Sequence, residues 1–227
     1  MIGSLGQPVL FLVALGFGFG PIFQKAGGGN YIQFLAPGII CMGILFTSVF
    51  MGIEIIWDRQ FGFLKETLVA PVSRFNIMIG RTLGGATVAM FQGIMVFVIS
   101  LFVGFRPSNI IMLPLAFILM FLIAFFFTAL GTAIASRMED MHGFQVIINF
   151  LIMPIFFLSG ALFPLDNLPG AIGIITKINP LSYGVDGLRE TLLNMGHFGL
   201  SLDFTFLSVA ALVLLVIGSY LFSKIQI

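Results

Sequence analysis

Charge is scarce in this chain. Its 227 residues include 10 Lys or Arg and 9 Asp or Glu, together 8% of the composition, where a soluble domain carries roughly 25%. A water-facing surface is not easily built from that inventory. The net charge of +1 gives no broad attraction to nucleic acid. The single cysteine, Cys41, lies in an apolar run and excludes an intrachain disulfide, and no CxxC motif is present. A buried, unreactive thiol is expected. The two histidines, His142 and His197, stand alone without metal-ligand spacing. GxxxxGK[ST], HExxH, GxSxG and a TVGYG-like filter are all missing, and the glycines of FGFGP and AGGGN lack the lysine that a phosphate-cradling loop needs. No catalytic, cofactor-binding or metal-ligating residue is therefore assigned. Any energy for active transport has to come from another chain or from a gradient.

Apolar residues are abundant: 59% of the chain is hydrophobic, with 28 Phe. Six runs lack Asp, Glu, Lys and Arg: 1–24, 26–53, 82–105, 107–136, 141–165 and 204–223. Each reaches the roughly 20 residues that a bilayer-crossing helix needs. Stretches such as ILMFLIAFFF, 118–127, do not alternate, which argues against a β-barrel. The fold class expected is all-α, a polytopic membrane protein with six transmembrane helices in one domain, 1–227. The spans are placed at Leu5–Phe23, Phe34–Ile56, Ile77–Phe105, Ile110–Ala135, Phe144–Phe163 and Phe204–Phe222. Pro37 falls in the first turn of span two, where its missing N–H costs little. Residues 1–24 have neither a basic leading region nor a clear cleavage site, so no removable signal peptide is expected. Glu54 is the one acid placed within a span. Thr47, Ser48, Gln92, Thr128, Thr132, Asn149 and Ser159 are uncharged polar residues able to line a path or bridge helices. Gly80 and Gly84 form a small-xxx-small pair suited to close helix packing.

An even number of spans puts both termini on one side. If that side is the cytoplasm, Arg59, Lys65, Arg74, Arg81, Arg137 and Lys224 lie inside, and Lys25, Arg106, Lys177 and Arg189 outside. This is a modest positive-inside bias. The region 164–202 is too polar for a straight span, yet its apolar pieces 168–178 and 180–193 need cover. Two short helices at the outer interface are expected in preference to an ordinary loop. Asn179 would cap the second and Pro180 would open it. Arg189 stands three residues after Asp186 and is expected to pair with it.

WDRQFGFLKETLVAPVSR, 57–74, concentrates five charged residues between two apolar runs. Phe61, Leu64 and Leu68 recur at spacings of three and four, which is one face of a helix. Pro71 stops it near Ala70. The pattern predicts a short amphipathic helix over 60–69, about 15 Å long at 1.5 Å per residue.

This segment, together with FFLSGALFPLDNLP (156–169), NPLSYGVDGLRE (179–190) and the six spans, resembles the permease subunits of type 2 ATP-binding-cassette exporters. The resemblance implies that 60–69 is a cytoplasmic coupling helix that docks on an ABC ATPase subunit, through Gly62, Leu64, Lys65, Glu66, Leu68, Pro71 and Arg74. It implies an outer-face helical pair before the last span, with Asn179, Pro180, Tyr183, Asp186 and Arg189. It also implies a second permease copy or a homologous permease, lipid around both, and ATP with Mg bound by the partner ATPase rather than by this chain. The chain itself would be no enzyme. It would sit in the plasma membrane with both termini cytoplasmic, moving a drug, a lipid-like molecule or a polysaccharide. Family members usually carry a longer cytoplasmic segment before span one. The alternative is a secondary carrier or channel that works without a partner, for which internal repeats or an ionisable site within the membrane are expected.

Overall fold

The computed structural model describes residues 2–27, 29–64, 69, 71–165 and 170–223. Among these the elements are all helices: α1 (Ile2–Lys25), α2 (Tyr31–Phe50), α3 (Ile53–Gln60), α4 (Arg74–Val103), α5 (Leu113–Ala135), α6 (Met141–Phe157), α7 (Gly170–Ile178), α8 (Pro180–Leu193) and α9 (Leu200–Ser223). Among the described residues, five stretches are long and apolar enough to cross a membrane: Leu5–Lys25, Tyr31–Gln60, Arg74–Val103, Leu113–Ala135 and Leu200–Phe222. The chain is thus an all-α protein with several membrane-crossing helices.

The fifth expected span differs. Helix α6 stops at Phe157 rather than Phe163, leaving 17 residues, about 25 Å at 1.5 Å each. Local chemistry ends it. Pro154 lies inside the helix and cannot donate to the preceding turn. The Ser159 hydroxyl donates to the Phe156 carbonyl (2.7 Å) and accepts from the Ala161 N–H (3.2 Å). Gly160 then takes φ +76°, a left-handed conformation open to glycine at little cost. The chain folds back, and Ala161 is buried against α2.

Helix α2 occupies the centre, packed on α1, α4, α5 and α8. It is apolar nearly all round, as a buried helix should be, and every residue from Leu35 to Leu45 is buried. Asn30 starts it, accepting from the Ile32 N–H at 3.0 Å. In lipid, helices gain little hydrophobic drive from meeting each other, so close backbone approach supplies the contact. Gly52, between α2 and α3, and Gly131 of α5 provide it. A Cβ on Gly52 would fall well under 3.0 Å from the Gly131 carbonyl, and one on Gly131 would do the same to Val49. Gly80 and Gly84 do not pack in this way: a Cβ on either meets open space, whereas on neighbouring Gly85 it would strike Thr128 at 2.6 Å. The shift of one residue follows from the helix turn, which directs Gly85 inward.

Candidate functional site

The bundle presents polar chemistry at its two ends. At one, α2 passes through the turn at residues 51–52 into α3. Helix α3 ends at Gln60. Phe61 caps it, and Gly62 has φ +83°, so the chain changes direction there. The expected helix over 60–69 therefore does not start at Gln60. Phe63 and Leu64 are helical again. Lys65, Glu66 and Leu68 lie outside the described residues. Leu64 is buried, while Phe61 (71% exposed), Phe63 and Val69 (82%) are open. Pro71 lies in a bend, and Ser73 caps α4 by accepting from the Asn76 N–H at 3.2 Å. Arg74 is the first residue of that helix.

Helix α3 is tied to the loop between α5 and α6. Arg59 donates to the Met138 and Ser136 carbonyls at 2.8 and 3.0 Å. Gln60 donates to the Glu139 carbonyl at 3.1 Å, and the Trp57 indole N–H points to the Met141 sulfur at 2.7 Å. Asp58 forms an ion pair with Arg81 of α4. Of the carbonyls accepting from Arg59, that of Ser136 belongs to the C-cap of α5, where acceptors are left unpaired by the helix. Asp140 caps the next helix by accepting from the Gly143 N–H at 2.7 Å. That hydrogen bond holds the Asp140 carboxyl below its ordinary pKa.

The other end gathers α7, α8 and the fold-back after α6. Asn179 accepts from the Leu181 N–H at 3.0 Å and donates to the Ile155 carbonyl at 2.6 Å, and Pro180 opens α8. One side chain thus caps a helix and fastens it to α6. Tyr183 donates to the Lys177 carbonyl at 2.6 Å and stacks on Phe206 of α9, centroids 3.9 Å apart. Burial, and after it the negative Asp203, push the Tyr183 hydroxyl above its ordinary pKa.

Arg189 and Asp186 do not pair with each other, contrary to the expectation from their spacing. Arg189 is buried, and its guanidinium donates to the carbonyls of Phe34 (3.3 Å), Gly160 (2.8 Å) and Ala161 (3.2 Å). It also lies 3.7 Å over the Phe34 ring. Burial lowers its pKa to about 10, which leaves it a cation at neutral pH. Asp186 instead accepts from the His197 N–H (2.8 and 2.9 Å) and the Phe198 N–H (2.7 Å). The fold-back offers Arg189 fixed carbonyls on one side of α8, while the 194–199 turn offers Asp186 backbone donors.

A further acid joins this end. Helix α9 begins at Leu200, so Asp203 sits in its first turn rather than before it, and it is fully buried. The sequence places Asp203 just outside a span. What escaped was the added helical turn, since Gly199, with φ +97°, accepts the first hydrogen bonds of α9 from Leu202 and Asp203.

Between the two ends, a cavity of about 410 Å³ lies among α1, α2 and α4, lined by apolar side chains with Gln7, Thr47 and Gln92. Such a mostly apolar cleft between helices, with a few polar groups, has the character of a binding cavity. Residues 1–193 match the model of the ABC-2 type transporter family. The chain belongs to the ABC-2 transporter family. This ABC-2 permease is 30% identical over 205 residues to nodulation protein J of Rhizobium meliloti, covering 88% of this chain and 77% of that one. It is 30% identical over 241 residues to the ycf38 protein of Cyanophora paradoxa, covering 99% and 82%, respectively. The ycf38 protein of Porphyra purpurea is 27% identical over 237 residues, 99% and 81%. An ABC-2 permease is a transport subunit that performs no catalysis itself.

Proposed function

We propose that this chain is the permease half of an exporter driven by a separate ATPase, and that the ATPase docks at the α3 end. The supporting observation is the apolar surface there. Trp57, Phe61, Phe63, Val69 and Val72 are all exposed next to a helix held by four hydrogen bonds to the 136–141 loop. Exposed aromatics on a rigid base suit a protein partner. The docking set comprises Gly62, Leu64, Lys65, Glu66, Leu68, Pro71 and Arg74, with the α3 end and both termini cytoplasmic. Asn179, Pro180, Tyr183, Asp186 and Arg189 then form the outer-face helical pair. The working unit is two permease domains, each spanning 1–227, with two ATPases that bind ATP and Mg. ATP acts on this chain only by favouring one of its conformations over another.

The cargo is a drug, a lipid-like molecule or a polysaccharide. The mostly apolar cavity with Gln7, Thr47 and Gln92 supports the lipid-like reading. The test reconstitutes the chain with candidate ATPases in liposomes and compares Glu66→Ala with the unaltered protein. Weakened ATPase binding and slowed ATP-dependent export, with normal membrane insertion, are expected. Partner binding and export both unchanged would remove Glu66 from the docking surface.

A further inference from the structure

Asp203 is fully buried, and neither of its carboxylate oxygens has a hydrogen-bond partner. Oε2 of Glu190, one helical turn beyond Asp186 on α8, is also buried and unpartnered. Together with Asp186 they bring three carboxylates from two helices to one point, with one ligand oxygen of each within 4.8 Å of the others. Isolated buried carboxylates are costly and are retained where a proton or a cation offsets them. The neighbouring cation does not serve: the Arg189 guanidinium is turned to the carbonyls of Phe34, Gly160 and Ala161.

The spacing fits an ion. A cation with ligands at about 2.3–2.6 Å places its ligand oxygens no farther apart than about 4.6–5.2 Å. The donors are all oxygen and anionic, which selects a hard divalent ion over zinc or copper. They come from an irregular meeting of α8 with the first turn of α9, and carboxylates bind one- or two-fold. Calcium accepts such geometry, whereas magnesium asks for a near-regular octahedron. The cluster borders an open pocket on the Asp186 side. A Cβ on Gly196 would approach Glu190 Oε2 to 2.5 Å, so the carboxylate packs directly on the glycine backbone, where a side chain would displace it. A pocket of about 380 Å³ reaches the cluster at Asp186 and is lined there also by Arg189, Gly196 and His197.

We propose that Asp186, Glu190 and Asp203 hold a divalent cation, with calcium preferred, that fastens α8 to α9. Two of the acids stand one turn apart on a short helix, and the third opens the last long helix across the 194–199 turn. The bound ion converts their mutual repulsion into a cross-link between those helices.

The experiment uses the purified full chain in detergent, stripped with EGTA, and measures equilibrium uptake of radioactive calcium and the thermal midpoint on adding calcium back. One calcium per chain is expected, with a rise in the midpoint. Asp203→Asn and Glu190→Gln should each weaken uptake at least tenfold and lose the calcium-dependent rise. Glu139→Gln, at the opposite end, should keep both. Each variant is first checked for elution as the unaltered protein, and Glu190→Gln carries the test if Asp203→Asn does not fold. Uptake that the folded variant leaves unchanged would overturn the site. So would no stoichiometric uptake of calcium or magnesium, and an infrared band of a protonated carboxyl that vanishes in Asp203→Asn would then identify a retained proton as what the acids share.

Discussion

Replacing Arg189 with Met tests how the α8 end is held. The swap keeps an unbranched apolar stem and removes the guanidinium. It strands the Gly160 and Ala161 carbonyls, which lie in the fold-back and have Arg189 as donor at 2.8 and 3.2 Å. A buried polar group left without its partner costs about 1–3 kcal/mol. Loss of the cation over the Phe34 ring adds about 1 kcal/mol. Part of this is returned, because the guanidinium no longer has to be kept out of water. The net expectation is a loss of about 3 kcal/mol. For a chain of this size that is a fall of roughly 6–12 °C in the thermal midpoint. The assay is thermal unfolding of the purified chain in detergent, followed by tryptophan fluorescence and by aggregation-sensitive chromatography. Arg189→Lys should fall between the two, since an ammonium lacks the planar fork that reaches carbonyls on two segments at once. A fall of less than about 2 °C in the Met variant would refute the reasoning, as would a Lys variant as stable as the unaltered chain.

Three further outcomes follow from the geometry. Arg59→Gln should leave ATPase binding intact while lowering export per ATP several-fold, because it cuts α3 from the Ser136 and Met138 carbonyls; equal export per ATP in liposomes would exclude Arg59 from transmission. Gly131→Val should destabilise the chain by about 2–3 kcal/mol through overpacking, read as a lower midpoint or lost folded yield, since the new side chain meets the Val49 backbone. Asp140→Ala should destabilise the chain at neutral pH and make little difference in acid. The folded pKa of Asp140 is lowered, so its stabilisation is present above the ordinary carboxylate value and lost as pH falls through the folded one; a midpoint difference between Asp140→Ala and the unaltered chain that does not shrink on acidification would contradict this.

The long helices were legible because uninterrupted apolar runs carry their own signal. The α7 and α8 pair was legible for a different reason: Asn179–Pro180 combines a cap with a helix-opening residue, and both act locally. The partners of Asp186 and Arg189 were not legible. A spacing of three suggests a pair within the helix, but the acceptors of Arg189 come from residues 34, 160 and 161, and the donors to Asp186 from 197 and 198. Such contacts depend on where the chain after Phe157 doubles back, which a charge-free run does not announce. Asp203 was missed because a hydropathy boundary marks where polar residues stop, whereas a helix starts wherever its first carbonyls find donors. Gly80 and Gly84 show the converse: within this chain neither meets a neighbouring helix. Small residues at a spacing of four identify a close-packing stripe only once the rotation of the helix is known.

The central helix has a mechanical consequence. Near Phe34 it is gripped by the Arg189 guanidinium, and beyond Phe50 it bears on Gly131 through Gly52. These grips stand roughly 27 Å apart along the axis, at 1.5 Å for each of the intervening residues. Helix α2 is therefore a strut with seated ends. A torque applied at α3 cannot be absorbed by sliding at the near seat, where backbone already touches backbone. With the ATPase docked at α3 as proposed, such a torque would travel as rotation or bending to the far seat and load the three carbonyls around one arginine.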